Sequence, residues 1–211
     1  MSAPNTPDEP PHATRLREQF RPAILCVLVL TILAGCVFPV VLFAIARPLF
    51  PRQANGRLVT RGGTVVGSAL IGQEFTRPEY FHSRPSAAGN GYDATSSGGT
   101  NLGPNNPKLT SGAADFPGIR QLAREYREGN GLAPDAPVPI DAVTRSASGL
   151  DPDITPENAE LQIPRVARAR GLSEDAVRRL VAGHTQGPQF GFLGSPRVNV
   201  LELNLALDEM R

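Results

Sequence analysis

The side-chain types of a serine hydrolase occur together in the second half of the chain. Ser146, Ser148, Asp151 and His184 would supply a nucleophile, a general base and an orienting carboxylate. Neither serine lies in a Gly-x-Ser-x-Gly sequence, the turn that exposes the nucleophile in many hydrolases. The pattern therefore favours a turn at residues 148–151, before the next helix, over a catalytic centre.

Metal, cofactor and ATP chemistry have little support in the sequence. The histidines, His12, His82 and His184, do not lie at a spacing typical of zinc ligands. We expect no metal site and no cofactor of its own, and we expect His184 to cap the end of a helix after Gly183. The chain has no glycine-rich loop ending in Lys-Ser/Thr and no Asp-Lys-Thr-Gly phosphorylation motif. ATP hydrolysis by this chain is therefore not predicted, and the chain is not expected to be an enzyme.

An apolar stretch from residue 22 to residue 46 anchors the rest of the protein. It contains no charged side chain, and at ~1.5 Å per residue a helix of this length crosses a ~30 Å hydrocarbon core. Its only hydroxyl is Thr31, so it cannot by itself form a channel or a transport path. We predict a single-pass transmembrane helix that bends at Pro39.

Two other interpretations of this stretch are weaker. Residues 33–36 resemble a bacterial lipoprotein cleavage box, which would make Cys36 a lipidated N-terminus. The chain stays apolar after Cys36, where a lipoprotein becomes polar, and the stretch is longer than the roughly 7 to 15 apolar residues of a signal peptide. Cys26 and Cys36 are separated by roughly 15 Å of helix, too far for a disulfide.

Composition divides the chain into three parts. Residues 1–21 are polar and Pro-rich and are expected to be a disordered tail, residues 22–46 the transmembrane helix, and residues 53–211 one folded domain. The net charge of +1, without a basic cluster beyond the membrane flanks, excludes nucleic acid as an expected partner. Arginines flank the span on both sides in similar number, so charge leaves its orientation open.

The residue patterns from 53 to 211 predict a loop-rich α+β domain. Two short β-branched runs joined by glycines predict a hairpin at residues 58–66, and residues 83–112 predict a long structured loop. Helix signals predict three helices: residues 116–128 ending at Gly129, a helix from its cap Thr155 to Gly171, and one from its cap Ser173 to Gly183.

The last element changes its pattern part-way along. A strand is expected to begin at Val198, and its alternation of apolar residues changes phase at Leu201. Such a change indicates either a bulge or a strand that passes into a helix.

Seven segments in this order resemble one family, the C subunit of the Kdp-type potassium-transporting P-type ATPase. They cover nearly the whole chain after residue 20, and so many in order make the resemblance specific. They are residues 53–56 (QANG), 67–73 (GSALIGQ), 80–87 (YFHSRPSA), 97–103 (SGGTNLG), 146–151 (SASGLD), 162–170 (QIPRVARAR) and 198–208 (VNVLELNLALD).

The resemblance implies an accessory subunit of an ATP-driven, high-affinity potassium uptake pump in the bacterial inner membrane. Its partners would be a channel-like potassium-binding subunit, an ATP-hydrolysing subunit and the lipid bilayer. In that family the C subunit assembles the complex and acts as a catalytic chaperone that raises ATP affinity. The N-terminus would be cytoplasmic and the C-terminal domain extracytoplasmic. A membrane-tethered extracytoplasmic hydrolase or ligand-binding domain acting alone remains the alternative.

The same resemblance singles out a glycine loop formed by Ser97, Gly98, Gly99 and Thr100. In the family this loop is compared with the signature loop of ABC transporters, and a glycine loop can present backbone N–H groups to phosphate. ATP is absent outside the cytoplasm, so a tight turn against a partner is favoured over nucleotide binding, and any ATP would be reached through the partner subunit.

Aromatic and arginine side chains in one of the seven segments suggest a further contact surface. Tyr80, Phe81 and Arg84 are residue types enriched at interface hot spots. They are equally compatible with a division between the core and the surface.

Overall fold

The computed structural model describes residues 16–210 and divides the chain into two compact units, one ending at Asn55 and one beginning at Gly56. Of the expected tail, residues 1–15 lie outside the described residues. Helix α1 spans Leu16–Leu30, so the helix begins before the expected boundary at residue 21. The physical reason is that Leu, Arg, Glu and Gln, which fill residues 16–19, are all good helix formers.

The first unit is almost entirely helical. After α1 come a π-helical segment, Thr31–Val37, helix α2, Phe38–Leu49, and a short helix α3, Pro51–Ala54. From Glu18 to Leu49 these residues form one run long and apolar enough to cross a membrane, the single such candidate within residues 16–210. This arrangement fits a single-pass membrane protein.

The π-helical segment lies directly before Pro39, where the sequence predicts a bend. A proline ring collides with the carbonyl group four residues earlier and has no N–H to donate. A wider π turn relieves such a conflict, and here the Phe38 N–H bonds to the Leu33 carbonyl, five residues back. The distortion predicted at Pro39 thus takes the form of a widened turn.

The second unit opens with the predicted hairpin. Strand β1, Leu58–Arg61, pairs antiparallel with β2, Thr64–Ser68. The turn between them is Gly62-Gly63, and both glycines have positive φ, 58° and 82°. Two-residue hairpin turns need this conformation, which glycine adopts without strain.

The rest of the unit is mainly helical, with a small sheet. No helix or strand is assigned between residues 69 and 106, which includes most of the predicted long loop. The sheet is antiparallel with the order β3-β5-β4. The elements are α4 (Pro107–Ser111), α5 (Ile119–Asn130), α6 (Ile140–Val143), β3 (Asp153–Ile154), α7 (Pro156–Arg170), α8 (Glu174–His184), β4 (Thr185–Gln186), β5 (Arg197–Asn199) and α9 (Val200–Glu209).

The main core is formed where α7, α8, α9 and β5 meet. Ile163 of α7, Val177 of α8, Val198 of β5 and Leu203 of α9 are completely buried in one cluster. Thr155 and Ser173 cap α7 and α8 as predicted, each side chain accepting a hydrogen bond from an N–H in the first turn. The α+β class predicted from sequence is confirmed.

Helix α5 lies two to three residues later than predicted. It ends at Gly131, in the left-handed conformation, and not at Gly129, which lies inside the last turn. The Leu132 N–H reaches back to the Arg127 carbonyl, and the Gly131 N–H to the Glu128 carbonyl. This pattern of bonds satisfies the final carbonyl groups and fixes the end of the helix.

The end of α8 and the start of α9 can be compared with the predicted stop at Gly183 and the predicted change of pattern at Leu201. Helix α8 continues past Gly183 to His184, because the chain passes directly into β4 and needs no left-handed residue there. The phase change near Leu201 is a strand passing into a helix. The side chain of Asn199, the last residue of β5, accepts a bond from the Glu202 N–H and starts α9.

Candidate functional site

The loop at residues 97–100 lies against the turn at residues 146–149 of the same domain. The Gly98 N–H and the Ser97 hydroxyl both donate to the Ser148 carbonyl, each at 2.9 Å. Residues 97–100 therefore pack against their own chain, and no turn is assigned within them. The expected contact with a partner stays a prediction.

Gly99 and Gly149 allow these two backbones to approach. A Cβ atom on Gly99 would lie 2.8 Å from the Ala147 carbonyl oxygen, and one on Gly149 would lie 2.6 Å from the Gly98 carbonyl oxygen. A Cβ atom on Gly98 would meet nothing within 4 Å. Within this pair of segments, Gly99 is required by close contact, and Gly149 by both close contact and its φ of 68°.

This packing bears on the phosphate hypothesis for the loop. A phosphate site needs free backbone N–H groups that point to one place. The N–H of Gly98 is bonded to the Ser148 carbonyl, so the loop offers fewer free donors than its sequence suggests. Nucleotide binding by residues 97–100 stays a prediction that rests on the family resemblance.

The triad residues have other partners. The His184 Nδ1–H donates to the Leu180 carbonyl at 2.9 Å, which makes it the predicted cap at the end of α8. A carboxylate oxygen of Asp151 accepts from Arg84 at 2.6 Å, and Ser148 Oγ accepts from the Leu150 N–H. Among the described residues no hydrogen bond joins His184 to Asp151 or to either serine, so the four side chains do not form a hydrogen-bonded triad.

Metal-ligand geometry is also lacking in the described part of the chain. No group of three or more His, Cys, Asp or Glu side chains among residues 16–210 could hold a metal ion. His82 Nε2 lies 3.1 Å from the Arg77 carbonyl and 3.4 Å from Arg165 Nη1. Burial and the neighbouring Arg165 charge lower the His82 pKa, which favours the neutral ring. His12 lies outside the described residues.

Tyr80, Phe81 and Arg84 do not form one exposed patch. Phe81 is completely buried in the main core. The Tyr80 ring is flanked by two arginine guanidinium groups, and Arg84 is half-buried in its ion pair with Asp151. The second interpretation, a division between core and surface, is the one observed.

Side chains of two helices hold the backbone of residues 78–82, a turn followed by irregular chain, which we call the clamped segment. The Asn204 amide of α9 accepts from the Phe81 N–H at 2.8 Å and donates to its carbonyl at 2.9 Å. The Gln162 amide of α7 does the same to His82, at 2.7 and 3.2 Å. A side-chain amide that both accepts and donates supplies the two bonds that a neighbouring strand would make.

Two arginines of α7 also bond to the clamped segment, and with Gln162 and Asn204 they form what we call the clamp. Arg165 Nη1 donates to the carbonyls of Pro78 and Tyr80, at 2.6 and 2.9 Å, and Arg170 Nε donates to the Glu79 carbonyl at 2.7 Å. Burial lowers the pKa of Arg165 to about 10, because these acceptors are neutral and compensate its charge only in part.

A shared carboxylate connects the clamp to the first hairpin. Asp208 accepts from Arg170 at 2.7 Å, from Arg61 of β1 at 2.6 Å and from the Tyr80 hydroxyl at 3.3 Å. Partial burial alone would raise the pKa of Asp208, but the hydrogen bonds from the two arginines outweigh it and hold the pKa below its usual value.

Sequence reasoning missed the clamp, although one signal was present. Gln162 and Asn204 are polar residues within the mainly apolar buried faces of two helices, and both are almost completely buried. A buried amide needs hydrogen-bond partners, so such a position indicates a backbone that must be held there.

Comparison with known proteins places the chain in a family. The family model described as KdpC, K+-transporting ATPase, c chain, matches residues 20–209. The chain belongs to the KdpC family. It is 53% identical over 189 residues to the potassium-transporting ATPase KdpC subunit of Koribacter versatilis, covering 88% of this chain and 92% of that one.

Other relatives agree with this assignment. The chain is 50% identical over 195 residues to the KdpC subunit of Mycobacterium bovis, covering 92% of this chain and all of that one. It is 52% identical over 190 residues to that of Acidobacterium capsulatum, covering 90% and 97% of the two chains. The resemblance found in the seven sequence segments is confirmed, and the match includes both the apolar helix and the folded domain.

Proposed function

We propose that the chain is a non-catalytic, single-pass subunit of an ATP-driven potassium uptake complex, which it assembles and whose ATP affinity it raises. The observation that supports this most strongly is the KdpC match over residues 20–209. The relatives with about half of their residues identical are named subunits of potassium-transporting ATPases.

The sequence supports a role without ATP hydrolysis. The only lysine of the chain is Lys108, between Pro107 and Leu109. Both a Walker A loop and an Asp-Lys-Thr-Gly phosphorylation motif need a lysine in a different context. ATP is then hydrolysed by another subunit, and the channel-like subunit carries potassium.

We propose that the chain influences ATP affinity through assembly. In this proposal the N-terminus lies in the cytoplasm and the domain from Gly56 onward lies outside the inner membrane, so the domain and ATP are in different compartments. The glycine loop at residues 97–100 then stabilises its own domain, in keeping with the bonds of its Gly98 N–H and Ser97 hydroxyl to Ser148.

Purification of the complex with and without this chain tests the proposal. The other subunits are co-expressed in both cases, and subunit stoichiometry and the ATP concentration for half-maximal activity are measured on the same preparations. We expect the chain to co-purify and its omission to lower the amount of assembled complex and its apparent ATP affinity. A complex of unchanged yield and unchanged ATP dependence would contradict the assembly role.

Orientation is tested separately with an engineered cysteine. Asp135 is exposed in the loop between α5 and α6, and both native cysteines lie in the apolar helix. An Asp135→Cys variant should react with an impermeant thiol reagent in intact cells whose outer membrane has been permeabilised, and the unmodified chain should not. Labelling only after lysis would show that the domain lies in the cytoplasm, opposite to the proposed topology.

A further inference from the structure

One loop of the domain carries apolar side chains that are exposed on its surface. Residues 187–196 connect β4 to β5, and within them the backbones of Gln189 and Leu193 exchange two hydrogen bonds, at 2.8 and 2.9 Å. We call residues 187–196 the aromatic hairpin. At its tip Phe190 is 87% exposed and Phe192 76% exposed, and Leu193 is about half exposed.

The backbone of the aromatic hairpin adopts an unusual conformation. Phe190 has a φ of 54°, a left-handed conformation that bulky side chains rarely adopt. Gly191 and Gly194 also have positive φ, and neither would meet another atom within 4 Å if it carried a Cβ. Nothing in the domain packs around these positions, so contacts inside the domain do not explain the exposed aromatic residue at Phe190.

The aromatic hairpin has no charge of its own. Residues 187–196 contain no Asp, Glu, Lys, Arg or His. The nearest cation in the sequence, Arg197, is in an ion pair with Asp153 at 3.2 Å. Loops that insert into anionic membranes usually combine aromatic with basic residues, because the cations bind lipid headgroups. The composition here favours an apolar protein cavity over a lipid surface.

We infer that the aromatic hairpin docks into an apolar cleft on another subunit of the same ATPase complex. Aromatic side chains dominate binding energy at protein interfaces, and two of them are exposed at the tip of this hairpin. The inference rests on the proposed function, since it needs a complex in which the chain is a subunit. It adds the surface through which the domain makes contact.

Site-specific cross-linking in the assembled complex identifies what covers the hairpin. The photoreactive residue p-benzoylphenylalanine replaces Phe192 in the full chain, and in a control it replaces Ile140, which is 75% exposed on α6. We expect a cross-link from position 192 to another subunit, and none from position 140. A cross-link from 192 only to lipid, only to a second copy of this chain, or to nothing would overturn the inference.

A matched pair of variants measures the strength of the contact. Phe192→Ser combined with Leu193→Ser should lower co-purification of the other subunits about tenfold, the effect of losing an interface hot spot. Ile140→Ser removes an equally exposed apolar side chain elsewhere and should leave co-purification unchanged. The thermal unfolding midpoint of each full chain in detergent shows whether the variants fold.

The possible failures are distinguishable. If the unmodified chain does not co-purify with the other subunits, the proposed function fails. If the unmodified chain co-purifies and the folded hairpin variant co-purifies equally well, only the hairpin inference fails.

Discussion

The clamped segment and the aromatic hairpin are two stretches without helix whose backbones are satisfied in opposite ways. In the clamped segment, side chains from α7 and α9 bond to the backbone at every residue from 78 to 82. In the aromatic hairpin, the backbone bonds only to itself, and its largest side chains face outward.

The comparison suggests that the clamped segment stabilises the fold and that the aromatic hairpin serves assembly of the complex. Phe81 is buried and its backbone is held by Asn204, so a substitution there should change the stability of the domain. Phe190 and Phe192 are exposed on the domain, so a substitution there should change binding to another subunit and not the stability of the domain. Four variants, taken from the largest expected effect on the fold to the smallest, test this division.

Removing one amide of the clamp should have the largest effect. Gln162→Met keeps the length of the side chain but leaves the N–H and carbonyl of His82 without partners, and it also removes the bonds of Gln162 with Asn158 and Arg165. Together these losses should destabilise the domain by roughly 3 kcal/mol. Gln121→Met is the matched control, since Gln121 is exposed and bonds only to Glu125 on its own helix. Chemical denaturation of both variants measures the difference, and equal stabilities would mean that the clamp does not hold the fold.

The glycine loop should show a smaller but specific effect. Gly99→Ala places a methyl group 2.8 Å from the Ala147 carbonyl oxygen and should cost about 1 to 3 kcal/mol. Gly98→Ala, one residue earlier, meets nothing within 4 Å and should change stability by less than about 0.5 kcal/mol. The pair is compared by thermal unfolding. If instead Gly99→Ala leaves stability and assembly intact but weakens the ATP response of the complex, the loop contacts nucleotide.

Acid should weaken the connection between the clamp and the first hairpin. The folded pKa of Asp208 lies below its unfolded value, so its stabilisation is complete above the unfolded pKa of about 3.9 and is lost as pH falls through the folded pKa. Asp208→Asn should therefore lower stability at pH 7, on the order of 1 kcal/mol, and the gap to the unmodified chain should close below about pH 4. A gap that is constant from pH 7 to pH 3 would show that the Asp208 charge does not matter.

Changing the tip of the aromatic hairpin should not weaken the domain at all. Phe190→Gly removes a side chain that contacts little and relieves a left-handed conformation, so stability should stay the same or rise by up to about 1 kcal/mol. Co-purification of the other subunits should nevertheless fall. A clear loss of stability in thermal unfolding would place Phe190 among the residues that hold the fold.

The sequence predicts well those features that depend on residues close together in the chain. Thr155 and Ser173 were identified as caps because a cap bonds to an N–H three residues away. The end of α5 was misplaced because Gly129 and Gly131 are both compatible with a stop. An apolar residue, Leu132, directly follows Gly131 and completes the closing hydrogen bonds, and this is the signal that distinguishes them.

Features that depend on distant residues were not predictable in the same way. Gln162 and His82 are 80 residues apart, and Asn204 and Phe81 are 123 apart, so no local pattern connects them. For the loop at residues 97–100, we predict from the sequence a tight turn against a partner. Only the structure shows that Gly99 faces the backbone of Ala147.

Hydrogen exchange of the full chain, alone in detergent and within the assembled complex, tests the division most directly. The amide of Leu193 in the aromatic hairpin should exchange much more slowly in the complex, because docking suppresses local opening. The amides of Phe81 and His82 should exchange at the same slow rate in both samples, because the domain already holds them. New protection at residues 80–82 without any at residues 189–193 would contradict the account.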